Sequence, residues 1–135
     1  MRVIGLGNDL VNIDRIDHSI TKYGQRFINR IFTKIEQDYC DGKAARISNY
    51  AKRFAAKEAC SKALGTGFAK GVFWRDVGVE RDQHGKPVIR LTGGAHERLK
   101  EITPAGMTVQ IDLTLSDDHP WAQAIVLITA IVDQA

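Results

Sequence analysis

RFAAKEACSKALGTG, residues Arg53 to Gly67, decides how this chain folds around its chemistry. A helix repeats every 3.6 residues, so Ala55, Ala56, Ala59, Cys60, Ala63 and Leu64 share one face, while Phe54, Glu58 and Lys62 line another. The small residues of the first face let the helix sit close to its neighbours. The spacing predicts a helix over Tyr50 to Leu64, capped by Ser48 or Asn49 and ended by Gly65. On an arbitrary helix, Glu58 and Lys62 would be a surface pair worth about 0.2–0.5 kcal/mol. Here they precede Gly65, Thr66 and Gly67, a turn whose glycines let backbone approach a ligand. Arg53, Lys57 and Lys62 also place three cations within ten residues. A carboxylate among cations suits a divalent metal bridging phosphates.

Working outward, Val3 to Leu10 reads as a strand. Ile13, Ile16, Ile20 and Tyr23 recur at helical spacing before a capping Gly24, and Phe27, Ile28, Ile31 and Phe32 continue the apolar stripe. Thr33 with Glu36 matches a capping box for a short helix that stops near Gly42. Beyond Gly67 the period changes. Val77 to Glu80 and Val88 to Leu91 read as a hairpin around DQHGKP, and Gly94 to Ile102 as a helix closed by Pro104. Val109, Ile111, Leu113 and Leu115 alternate with polar residues, as in a strand buried on one face. The last run, AQAIVLITAIV, is apolar on both faces, so it is central in a sheet or covered by another subunit. The expected fold class is α+β: a single domain over residues 1–135 with helices packed on a mainly antiparallel β-sheet.

Composition excludes several classes. A chain of 135 residues buries enough surface for one core, and 44% hydrophobic content is too apolar for disorder. The longest apolar run falls far short of the ~20 residues that span a bilayer, so no membrane is expected. Cys40 and Cys60 lack CxxC spacing, and a reducing cytoplasm is the expected compartment. Gly5-Leu6-Gly7 lacks the third glycine of GxGxxG, and no Walker loop, GxSxG or HExxH occurs. The four histidines are scattered without ligand spacing. Net charge is +3, but Arg15 to Lys62 holds eleven Lys or Arg against five Asp or Glu, +6, which leaves −3 elsewhere. Such asymmetry favours an acidic partner. No RNP motif, zinc finger or clear helix-turn-helix accompanies it, so nucleic acid is not expected.

Mg²⁺ takes one or two protein carboxylates and fills its octahedron with water and substrate phosphate. Glu58 offers one ligand. Asp9, ending a glycine-rich strand, offers a second, although an Asx-turn or helix cap explains an aspartate there equally well.

GLGNDLVNIDRI, IFTKIEQDYC and RFAAKEACSKALGTG, in that order, resemble the holo-[acyl-carrier-protein] synthase family of 4′-phosphopantetheinyl transferases. GVFWRDVGVERDQHGKPVIRLTG and DLTLSDDHPWAQAIVLI extend the resemblance over nearly the whole chain. It implies transfer of phosphopantetheine from coenzyme A to a serine of apo acyl carrier protein, with release of adenosine 3′,5′-bisphosphate, in support of fatty acid biosynthesis. It further implies that Asp9 and Glu58 hold Mg²⁺, and that Glu58 and Lys62 are catalytic. Lys62 would neutralise the pyrophosphate, and the serine proton would go to Glu58 or to a metal-bound water. Arg53, Phe54, Lys62, Gly65, Thr66 and Gly67 match positions lining the coenzyme A site, and Arg15, Lys22 and Arg26 the surface that docks the acidic carrier protein. Family members resemble trimers with sites between subunits. Asp112 and Asp117 stand where many members have histidines.

Overall fold

The computed structural model describes residues 1–134. Strand β1 (Arg2–Asn12) leads into helices α1 (Ile13–Tyr23), α2 (Gln25–Ile31), α3 (Lys34–Asp41) and α4 (Arg46–Leu64). A hairpin of β2 (Val77–Arg81) and β3 (Pro87–Leu91), helix α5 (Gly93–Ile102), and strands β4 (Met107–Asp118) and β5 (Trp121–Val132) complete the chain. β1, β5 and β4 form one antiparallel sheet in that order, and the β2–β3 hairpin is a separate antiparallel pair. The α+β class is therefore as expected, and the two-sided apolar run is central because β5 pairs on both edges.

Helix α4 lies across the inner face of this sheet. Gly5 and Gly7 alternate with outward-facing Leu6, and the helix backbone comes down onto both. A Cβ on Gly7 would sit 1.7 Å from the Ala59 carbonyl oxygen, and one on Gly5 would sit 2.3 Å from that of Ala63. The small-residue face of α4 thus meets glycine rather than side chains. Ala122, Ala124, Val126 and Ile128 of β5 complete the same buried layer. Val11, Ile13, Ile16 and Ile20 extend it under α1.

The Thr33–Glu36 capping box forms as the spacing predicts. The start of α4 does not. The helix begins at Arg46, its N-cap Ala45 offers no side-chain bond, and Ser48 and Asn49 lie inside the first turn. The Asn49 amide instead donates back to the Ala45 carbonyl. Asp41 braces the first turns of α4 through side chains alone, accepting from Arg46 Nε at 2.8 Å and from the Tyr50 hydroxyl at 2.9 Å.

The opposite face of α4 carries a buried ion pair. Lys57 Nζ lies 2.8 Å from Glu36 Oε1, with neither side chain exposed. The ammonium also donates to the carbonyls of Val77 (2.6 Å) and Trp74 (3.2 Å). Glu36 in turn accepts from the backbone N–H groups of Thr33 and Val79, both at 2.7 Å. Burial pushes the Lys57 pKa below its ordinary value, and Glu36 opposes that shift. The pair ties α4 to α3 and to the β2–β3 hairpin.

Two stability measurements check this architecture. Gly7→Ala is expected to lose about 3 kcal/mol or more in denaturant unfolding, the upper end of overpacking costs, because the new methyl meets backbone. A loss below about 1 kcal/mol would mean that helix and strand are not in such contact. Glu36→Ala strands a buried ammonium and two N–H groups and is expected to cost about 3–5 kcal/mol. A near-neutral result would show that Lys57 finds other compensation.

Candidate active site

Two residues beyond Gly7, on the same face of β1, stands Asp9, paired in register with Ala124. The close seating of α4 brings Glu58 and Lys62 over this part of the strand, which runs three residues past Asp9 rather than ending there. Lys62 Nζ lies 3.0 Å from Asp9 Oδ1 and donates to the Asn8 carbonyl, also at 3.0 Å. Asp9, Glu58 and Lys62 line one cleft of about 340 Å³ together with Arg15 and Ile16 of α1 and Phe54. Residues remote in sequence therefore meet in one cavity walled by β1, α1 and α4.

Burial, then the neighbouring Asp9 carboxylate, raises the Glu58 pKa, while Lys62 pulls it down. The raised pKa means that the folded state holds its Glu58 proton more tightly than the unfolded chain does. Ionisation of Glu58 therefore costs stability as pH rises from about 4.5, its ordinary value, through the raised one. Neither Cys40 nor Cys60 lines the cleft, and burial pushes both thiols up to about 12.

The other sequence-predicted residues divide. Arg15 lines the cleft and also shares an adjoining groove on α1 with Lys22. Arg26 is exposed on α2. Phe54 faces the cleft and packs on Trp74, ring centroids 4.9 Å apart, so it belongs to core and site at once. The expected pool of three cations around Glu58 is corrected. Lys57 is buried with Glu36, and Arg53 is buried on that same side, its guanidinium 4.1 Å from the centre of the Tyr39 ring. Residues 53 and 57 are one turn apart from each other and a quarter turn off the Phe54–Glu58–Lys62 stripe, enough to point them elsewhere.

Gly65 and Gly67 both have positive φ, +80° and +58°, which glycine tolerates. The amides of this turn are already engaged: Gly65 N–H donates to the Lys62 carbonyl, and those of Thr66 and Gly67 donate to Ser61. Its backbone closes α4 rather than presenting free donors. Arg98 of α5 reinforces that end through Nε to the Leu64 carbonyl, 2.9 Å. Asp112 and Asp117 lie on opposite faces of β4. Asp112 accepts from Gln110, whereas Asp117 turns inward to pair with Lys52 of α4 at 3.4 Å.

Sequence reasoning missed the Asn8 carbonyl that holds Lys62, and nothing in a side-chain pattern encodes it. It also passed over Gly5 and Gly7 as packing residues, although their two-residue spacing puts both on one strand face.

A family model described as ACPS, 4′-phosphopantetheinyl transferase superfamily, matches residues 5–124, and the chain belongs to that superfamily. It is an enzyme of the phosphopantetheinyl transferase class. Within that class its relatives carry one particular name. The holo-[acyl-carrier-protein] synthase of Phenylobacterium zucineum is 57% identical, covering 96% of this chain and 94% of the relative. That of Parvibaculum lavamentivorans is 54% identical, covering 96% and 97%. Among solved structures, the Neisseria meningitidis synthase superposes with a TM-score of 0.80 at 34% identity, covering 94% of this chain and 98% of that one. The Helicobacter pylori synthase in complex with coenzyme A gives 0.77 at 28%, covering 92% and 99%.

The charge balance around Glu58 is open to measurement. In chelator, Glu58→Gln is expected to melt higher than the wild type at neutral pH, with the advantage shrinking towards pH 4. A difference that does not change with pH would show that Glu58 ionisation carries no such cost.

Proposed function

We propose that the chain transfers 4′-phosphopantetheine from coenzyme A to a serine of an apo acyl carrier protein, in the cytoplasm, in support of fatty acid biosynthesis. The convergence of Asp9, Glu58 and Lys62 in one cleft carries this proposal. The names of the relatives, and the coenzyme A held by the Helicobacter pylori synthase, support it.

Mg²⁺ is the proposed cofactor, with Asp9 and Glu58 as its protein ligands. The donor set fits. Asp9 and Glu58 line one cleft, and one or two carboxylates are what Mg²⁺ takes beside water and phosphate oxygens. The Lys62 ammonium on Asp9 supports a preference for positive charge at that point. When bound, Mg²⁺ supplies charge neutralisation at the pyrophosphate of coenzyme A.

The serine oxygen forms a bond to the pantetheine-side phosphorus as the bond to the bridging oxygen breaks, and adenosine 3′,5′-bisphosphate leaves. Such a transfer needs positioning and charge stabilisation more than a covalent nucleophile. Lys62 holds positive charge beside the leaving phosphate. Glu58, its pKa raised, stands ready to take the serine proton directly or through water. Arg15 extends from the cleft to the α1 groove that also holds Lys22, and with Arg26 these cations form the proposed docking face for the acidic carrier.

The Gly65–Gly67 turn is proposed to line the more distant parts of coenzyme A, whereas Arg53, buried against Tyr39, is turned away from the cleft. The exposed outer face of the sheet, with Leu6, Leu10, Ile125 and Ile131, supports a homotrimer whose neighbours cover it.

Incubation with coenzyme A, Mg²⁺ and apo carrier protein is expected to add one phosphopantetheine to the carrier mass. An unchanged mass beside an active control enzyme would overturn the assignment. Asp9→Ala and Glu58→Ala are each expected to lower the rate at least about 100-fold with the fold intact by circular dichroism. Near-normal rates in both would remove the metal site.

A further inference from the structure

The ammonium of Lys62 occupies the oxygens that a metal ion would want. Nζ is 3.0 Å from Asp9 Oδ1 and 3.0 Å from the Asn8 carbonyl oxygen. A carboxylate and a main-chain carbonyl are also the donors that hard divalent cations take. The two partners differ in freedom: the Lys62 side chain is 50% exposed, and that of Asp9 is 17% exposed. Asp9 stands on a paired strand, while half of the Lys62 side chain is open to solvent. No other lysine of α4 competes for that role, because Lys57 is buried on Glu36 and Lys52 pairs with Asp117.

We propose that Lys62 is a built-in competitor for the metal, a placeholder cation that neutralises Asp9 in the resting enzyme and must leave it when a divalent ion arrives. The proposal rests on the assignment of Mg²⁺ to Asp9 and Glu58. Two cations crowded on one carboxylate repel each other, so metal binding displaces the lysine. A pyrophosphate entering the cleft gives the displaced ammonium a new anionic partner. Metal and coenzyme A then bind cooperatively, and each tightens the other by the same factor. Neither alone assembles the charge arrangement the reaction needs. The resting pair also keeps the empty cleft from holding Glu58 and Asp9 as uncompensated neighbours.

The test is Mn²⁺ binding to the full chain by calorimetry, with and without coenzyme A, for wild type, Lys62→Met and Asp9→Asn. Without coenzyme A, Lys62→Met is expected to bind Mn²⁺ about 2- to 5-fold tighter than wild type, the range set by an exposed ion pair. Coenzyme A is expected to tighten Mn²⁺ binding by a larger factor in wild type than in Lys62→Met. If Lys62→Met binds Mn²⁺ no tighter than wild type while Asp9→Asn loses binding, the competition is wrong and the metal site stands. An equal coenzyme A effect in both proteins overturns the cooperative step. If Asp9→Asn binds like wild type, the metal assignment itself fails.

Discussion

Everything in this fold depends on the bare contact between the backbone of α4 and the two glycines of β1. At Gly5 and Gly7 the helix carbonyls come so close that no Cβ fits. Such proximity does more than save volume. It sets the height of α4 above the sheet, and therefore the distance from which Glu58 and Lys62 reach the strand. A helix held off by ordinary side chains would stand higher above the strand, because each added side chain must be given room. The Lys62 bond to Asp9 would then be out of range.

Height alone leaves rotation about the helix axis free, and the buried pair on the far side removes it. Lys57 is held by one carboxylate and two carbonyls, all reached only when its side chain points at α3 and the hairpin. Glu58 follows Lys57 by a single residue, 100° further round, so fixing one aims the other. A buried ion pair is weak support for stability in general, because desolvation opposes its attraction. Here its geometric effect is plain: α4 has one orientation in which the Lys57 ammonium meets its carboxylate and two carbonyls. The same network seats the hairpin, joining a second small sheet to the core without any strand pairing between them.

Much of this was legible in the sequence because it is written in local patterns. The capping box at Thr33, the Gly24 stop, the DQHGKP turn and the alternation of β4 all depend on neighbours in the chain. The stripe of Phe54, Glu58 and Lys62 was legible for the same reason, whereas Asp9, read as the end of its strand, lies within β1, which runs on to Asn12. What escaped was non-local. The fates of Arg53 and Lys57 are set by what lies on the far side of α4. Counting cations along the chain could not reveal which way they face. Asp117 likewise acquires its meaning only from Lys52, a partner 65 positions away.

Strand β1 carries its packing residues and its acid on one face, Gly5, Gly7 and Asp9 in alternation, with Leu6, Asn8 and Leu10 on the other. A one-residue slip of this strand against β5 would turn all six over at once. Leucine would then meet the helix where only glycine fits, and the carboxylate would face away from the cleft. The chain therefore has no register in which it is packed yet chemically mute through misplacement of Asp9. Correct strand register and the placement of Asp9 are a single event, and a chain that has closed its core has also turned that carboxylate into the cleft.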